Sequence, residues 1–82
     1  MDLLKLTEEL VLAIVKDKEA VGVKEFATDE PNVILIQVII DNTDMPRVIG
    51  RNGKIINSIR TLVQASSYLQ ENKIVKINVD CI

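Results

Sequence analysis

Apolar residues recur at helical spacing from the start of the chain, at Leu3, Leu6, Leu10, Ala13 and Ile14, with Asp2 placed to cap the first turn. The pattern predicts a helix from Leu3 to about Lys16. Leu4, Val11, Leu12 and Val15 widen its apolar surface beyond one stripe, which suggests burial against a sheet and against a partner subunit as well. Val21 to Phe26 alternates weakly and predicts a short strand, and Asp29-Glu30-Pro31-Asn32 has the residue types of a reversal. Val33 to Ile40 is a β-branched and Leu-rich strand interrupted only by Gln37, so both of its faces are expected to be covered.

Asn42-Thr43-Asp44 offers helix caps, and Pro46 suits the first turn of a short helix running to about Ile49. Gly50 and Gly53 break that pattern. Ile55, Ile56, Ile59, Leu62, Val63 and Leu69 then mark a second helix to about Gln70, and Val75, Ile77 and Val79 alternate with Lys76, Asn78 and Asp80 as a half-buried final strand. The element order α-β-β-α-α-β predicts an α+β fold. The first two strands form a hairpin, and the helical pair is long enough to be a right-handed crossover between parallel strands, giving a three-stranded mixed sheet with helices on one face.

Size and charge narrow the function. A chain of 82 residues is expected to form one domain over 1–82, with a single core and no deep enclosed pocket. Binding on an exposed surface is therefore favoured over catalysis, and no poised acid-base pair or nucleophile stands out, so the chain is not expected to be an enzyme. With no His and one cysteine, Cys81, a conventional zinc site and a Cys-His or Ser-His pair are both excluded. No metal or cofactor is expected. The single cysteine, the absence of an apolar run long enough to span a bilayer and the acidic start (Asp2, Glu8, Glu9) point to a cytoplasmic protein with no membrane partner. Only Phe26 and Tyr68 are aromatic, which argues against an aromatic base-stacking platform.

The net charge of −2 hides a division along the chain. Four bases oppose ten acids up to Asp44, whereas six bases oppose two acids after it. Met45 to Gln70 contains no acid, and Arg47, Arg51, Lys54 and Arg60 fall within it. A locally basic segment on an acidic protein suits an anion site, although four bases can also be an ordinary solvated face.

Within that segment Gly50-Arg51-Asn52-Gly53 separates two helices. Two glycines let the backbone turn tightly and bring its N–H groups close to a ligand. The helix starting near Gly53 would aim its free N–H groups and positive dipole end at the same place, with Arg51 and Lys54 adding charge. Ile49, Ile56 and Ile59 can pack the flanking helices together, while Arg60 and Asn57 also read as solvated surface and Asp44 as a cap. A phosphate-binding P-loop is excluded, because Val48 and Ile55 stand where Gly and Ser or Thr are required.

Ile49-Gly50-Arg51-Asn52-Gly53-Lys54-Ile55-Ile56 resembles the I-G-x-x-G-x-x-I core of KH domains, and the element order is similar to the bacterial type II KH arrangement. Asp44-Met45-Pro46-Arg47-Val48-Ile49-Gly50, Ile59-Arg60-Thr61-Leu62-Val63 and Glu71-Asn72-Lys73 further resemble the small stand-alone proteins of the KhpA family. Pro46 departs from the glycine common at that position. The resemblance implies a type II KH-like fold and non-catalytic binding of single-stranded RNA, the loop clamping about four nucleotides. Gly50, Arg51, Asn52 and Gly53 would hold phosphates with Lys54 as a charged flank, Ile49 and Ile56 would floor an apolar groove beneath the bases, and Arg60 would be a peripheral phosphate contact. It also implies an RNA chaperone or post-transcriptional regulator that forms a homodimer and pairs with a larger KhpB (Jag, EloR) type protein in cell elongation and division. The alternatives are a protein-interaction or dimerisation subunit with little RNA affinity of its own, and a ribosome-associated assembly factor.

Overall fold

The computed structural model describes residues 2–70 and 72–82. Its elements are α1 (Leu3–Leu12), β1 (Gly22–Ala27), β2 (Val33–Ile40), α2 (Met45–Ile49), α3 (Lys54–Gln70) and β3 (Ile74–Cys81). The sheet runs β1-β2-β3, with β1 antiparallel to β2 and β3 parallel to it. This is the expected hairpin followed by a helical crossover.

Register assigns the two faces of the sheet. Ile34, Ile36, Val38 and Ile40 of β2 pair across with Val75, Ile77, Val79 and Cys81 of β3, and Val38 pairs with Val23 of β1. Leu3, Val11, Val15, Val48, Ile56, Ile59 and Val63 from the helical segments meet that face to form one core cluster. Burial of a Val, Leu or Ile side chain stabilises by about 1.5–3 kcal/mol, so this face dominates the folding energy. The opposite face carries Lys24 and Phe26 of β1, Leu35, Gln37 and Ile39 of β2, and Ile74, Lys76, Asn78 and Asp80 of β3. Among the described residues no helix covers it, and Leu35, Gln37 and Ile39 are only half-buried. The continuous apolar run of β2 thus reflects a central strand with a helix layer on one side only, not burial on both.

Two boundaries differ from expectation for local physical reasons. α1 ends at Leu12 rather than near Lys16, because the backbone N–H groups of Lys16 and Asp17 are taken by the carboxylate of Asp44 instead of by helix carbonyls. The Lys18 ammonium satisfies the carbonyls left over, bonding Leu12 O at 3.0 Å and Val15 O at 2.9 Å. β3 runs on to Cys81, and the Ile82 N–H extends the ladder to Ile40 O at 3.0 Å. Leu4, Leu6 and Leu10 of α1, with Ile14 just beyond its end, pack partly buried against the core. The large exposed apolar residues lie elsewhere, at Phe26, Ile55, Leu62, Tyr68, Leu69, Ile74 and Ile82. Among the described residues, no helix is long and apolar enough to cross a membrane.

Candidate functional site

The Gly50–Gly53 loop joins the end of α2 to the start of α3. Gly50 closes α2, its N–H bonding Pro46 O at 2.9 Å, and then leaves the helix at φ 75, ψ 176. That backbone region is essentially restricted to glycine. Space imposes the same choice, because a Cβ at Gly50 would lie 2.6 Å from Ile55 Cγ1. Asn52 follows in the left-handed helical region (φ 57, ψ 28), where Asn is better tolerated than most residues. Gly53 has φ 74, but a Cβ there meets nothing nearer than 3.6 Å, so conformation alone demands it. The Gly53 N–H bonds back to Gly50 O at 3.2 Å and tightens the turn.

The site residues named from sequence separate into three groups. Arg51, Asn52 and Lys54 are exposed around the loop, with the N-terminus of the 17-residue α3 directly behind them. Ile49 is half-buried beside the loop and Ile56 is 4% exposed within the core. Ile56 therefore supports the loop from below rather than flooring an open groove, a correction that follows from its inward position on α3. Arg60 reaches across from α3 to β3, donating to Ile77 O through Nη2 at 3.0 Å and Nε at 3.3 Å, and to Asn57 Oδ1 at 3.2 Å. Its partners are uncharged, so its positive charge is retained.

Asp44 is not the local cap that its position suggests. It is fully buried, and its side chain makes no capping bond to α2. Its carboxylate accepts the N–H of Asp17 at 2.9 Å and of Lys16 at 3.0 Å, and Arg47 Nη1 at 3.0 Å. Asp41 caps instead the short 3-10 turn Asn42–Asp44 that leads into α2, its carboxylate accepting the Thr43 N–H at 3.0 Å and the Thr43 hydroxyl. Asp44 thus ties the segment after α1 to the start of α2, and it neutralises Arg47. Among the described residues, the bases of the loop region without a carboxylate partner are Arg51, Lys54 and Arg60. The positive field is centred on the loop rather than spread along the basic segment.

The two backbone donors, with Arg47 adding to them, hold the Asp44 carboxyl below the usual carboxylate value of 3.8 against the opposing effect of burial. Because the folded state binds its proton less tightly, this contribution to stability is fully present above pH 3.8 and is lost as pH falls through the folded-state value. Asp44→Asn, which leaves one of the two backbone donors facing an amide NH2 beside a buried side chain, is expected to melt on the order of 10 °C lower at neutral pH. Thermal melts of both proteins from pH 7 to pH 2 should show the gap narrowing only below about pH 4. A constant gap across that range would mean that the carboxylate's charge contributes nothing.

Three contributing residues escape sequence reasoning. Ile55 forms the wall behind Gly50. Gln64 bridges α3 to the edge of β3, donating from Nε2 to Lys73 O at 2.8 Å and accepting the Val75 N–H at 2.9 Å. Tyr68 stands beside Arg60 and Gln64 on the same groove between α3 and β3. Their signal is the spacing Asn57, Arg60, Gln64, Tyr68, a polar row at helical period next to the core row Ile56, Ile59, Val63, Ser67.

Comparison with known proteins fits this geometry. The family model described as KhpA/KhpB, KH domain, matches residues 5–80. The RNA-binding protein KhpA of Clostridium perfringens is 33% identical over 75 residues, which cover 92% of this chain and 96% of that protein. The RNA-binding protein KhpA of Streptococcus pneumoniae is 38% identical over 77 residues, covering 89% and 92%. Among solved structures, Era in complex with MgGDPNP and nucleotides 1506–1542 of 16S ribosomal RNA superposes with a TM-score of 0.72 at 19% identity. That match covers 98% of this chain and 30% of the Era chain, and at such identity it speaks for the fold. The α-β-β-α-α-β order, the Gly50–Gly53 turn and the length of the sequence matches lead to one assignment: the chain belongs to the KhpA/KhpB KH-domain family.

Proposed function

We propose that residues 1–82 act as a single non-catalytic KH domain that binds single-stranded RNA in the cytoplasm, with Gly50, Arg51, Asn52 and Gly53 holding the phosphates of about four nucleotides. The observation that carries this reading is the loop itself: left-handed Gly50, Asn52 and Gly53 at the positive end of α3, beside two unpaired bases, Arg51 and Lys54. The names of the two curated relatives above agree with it. Ile49 offers an apolar edge to a base, Ile56 stiffens the loop from the core, and Arg60 adds charge on the flank. We further infer a role as an RNA chaperone or post-transcriptional regulator, in partnership with a KhpB-type protein and tied to cell elongation and division.

The second reading, a dimerisation subunit with little RNA affinity, draws on the open sheet face, where Phe26 and Ile74 are exposed beside half-buried Leu35 and Ile39. Sedimentation of the purified protein with and without a short single-stranded oligoribonucleotide, over a series of salt concentrations, separates the two. A dimer that binds RNA with a log-log salt slope near −3, from about four phosphates, supports the first reading. A dimer that leaves the RNA unshifted favours the second, and a monomer that shifts RNA overturns the homodimer.

A further inference from the structure

Tyr68 is the one tyrosine of the chain, which has no tryptophan, and it is 58% exposed on α3. It lines a groove of about 460 Å³ together with Arg60, Thr61, Gln64, Ala65 and Val75. A second groove of about 600 Å³ begins at Lys54, the first residue after the loop, and continues over Asn57 and Ser58 to Thr61 and Leu62. Thr61 lines both. The two adjoin at Thr61 and follow one another as a shallow, open trough along α3 from Lys54, next to the Gly50–Gly53 loop, to Tyr68, a span of about 21 Å at 1.5 Å per helical residue.

The chemistry of the far end of this trough is specific. On the β3 side, Lys73 O and the Val75 N–H are already bonded to the Gln64 amide, and Ile77 O is bonded to Arg60. These strand-edge groups are spent within the fold. What the trough presents there is the charge of Arg60, whose hydrogen bonds go to uncharged partners, and the exposed ring of Tyr68. The residues lining the two grooves include no acid and carry the charges of Lys54 and Arg60, so the part nearer the loop complements a polyanion. An aromatic ring lining the same groove as an unneutralised guanidinium two helical turns away suits a ligand that has a flat face and a negative backbone.

We propose that Tyr68 is a base-stacking platform, and that a single-stranded RNA held at the Gly50–Gly53 loop continues down α3 so that an unpaired base lies on its ring. The inference rests on the RNA-binding reading above and adds a recognition residue well outside the loop. The low aromatic content does not oppose it, because one correctly placed ring is enough for one stacked base.

Tyr68→Trp tests it directly, since this variant carries the chain's sole indole, excited at wavelengths where RNA does not absorb. Titration with octamers of uridylate and of adenylate, followed by indole emission and by anisotropy of a labelled RNA end, should show emission falling in step with binding. Tyr68→Ala should weaken binding about 5- to 30-fold, the lower part of the range for base-aromatic stacking, whereas Tyr68→Phe should stay within about twofold. As an exposed position, it tolerates these changes without loss of fold, which a thermal melt checks. RNA binding with unchanged emission and an unaffected Tyr68→Ala variant would overturn the role of Tyr68 and leave the loop assignment standing. Failure of every variant and of the unmodified protein to bind RNA would overturn both.

Discussion

The Arg51→Asp/Asn52→Asp double variant is expected to bind single-stranded RNA at least about 100-fold more weakly than the unmodified protein while keeping its fold. Arg51 is exposed and without an ion pair, so its charge is available to a phosphate, and the exchange moves the loop by three charge units. A unit charge at 4 Å from a phosphate is worth about 1 kcal/mol in bulk water and about 4 kcal/mol near a protein surface, so three units amount to about 3 kcal/mol or more. That corresponds to a factor of about 100 or greater. The fold should survive, because Asp accepts the left-handed conformation of residue 52 and an acid at the N-terminus of α3 interacts favourably with the helix dipole. Filter binding at fixed salt, with circular dichroism melts alongside, provides the measurement. Equal affinity of the two proteins would remove the loop from the binding site.

The second large effect is steric. Gly50→Ala is expected to lower stability by about 3 kcal/mol, and the Tm by on the order of 15 °C, through a backbone region closed to alanine and an overlap with the adjacent side chain at the start of α3. The overlap is with Ile55, 2.6 Å from the new Cβ. Gly53→Ala, at a similar φ but with its nearest neighbour 3.6 Å away, should cost only about 1 kcal/mol. The contrast between the two glycines reflects the glycine-only backbone region and the crowding by Ile55, which act together at Gly50. Equal melting temperatures for the two variants would show that neither the backbone region of Gly50 nor the Ile55 overlap carries the expected cost. Loss of RNA binding in Gly50→Ala would follow from the displaced turn, and Gly53→Ala distinguishes that from a general intolerance of side chains in the loop.

Comparison of the two substituted loops also shows how unevenly the site was legible in the sequence. The turn between two helices could be read from the spacing of Gly50 and Gly53 and from the apolar periods on either side, since backbone freedom and helical repeat are local properties. That Gly50 is excluded from alanine by Ile55 could not, because the clash depends on how α3 leaves the turn. Asp44 gives the sharpest case. Its position before Pro46 has the residue type of a cap, yet its carboxylate serves Lys16 and Asp17, 28 and 27 residues away in the chain. The same contact ends α1 four residues early and withdraws Arg47 from the positive field. Arg60 and Gln64 likewise look like solvated helix surface until β3 is set beside them and its open edge needs partners.

The sequence by itself determined the element order, the pairing of β1 with β2, the parallel return of β3 and the family to which the chain belongs. Each of these rests on short-range periodicity or on a contiguous motif. The tertiary structure decided which charges remain free, which glycine is sterically required, and that Asn57 on one side and Arg60, Gln64 and Tyr68 on the other line adjoining grooves along α3. Those properties depend on neighbours brought together from distant parts of the chain, where burial and strand-edge hydrogen bonding set the role of a side chain that sequence spacing leaves open.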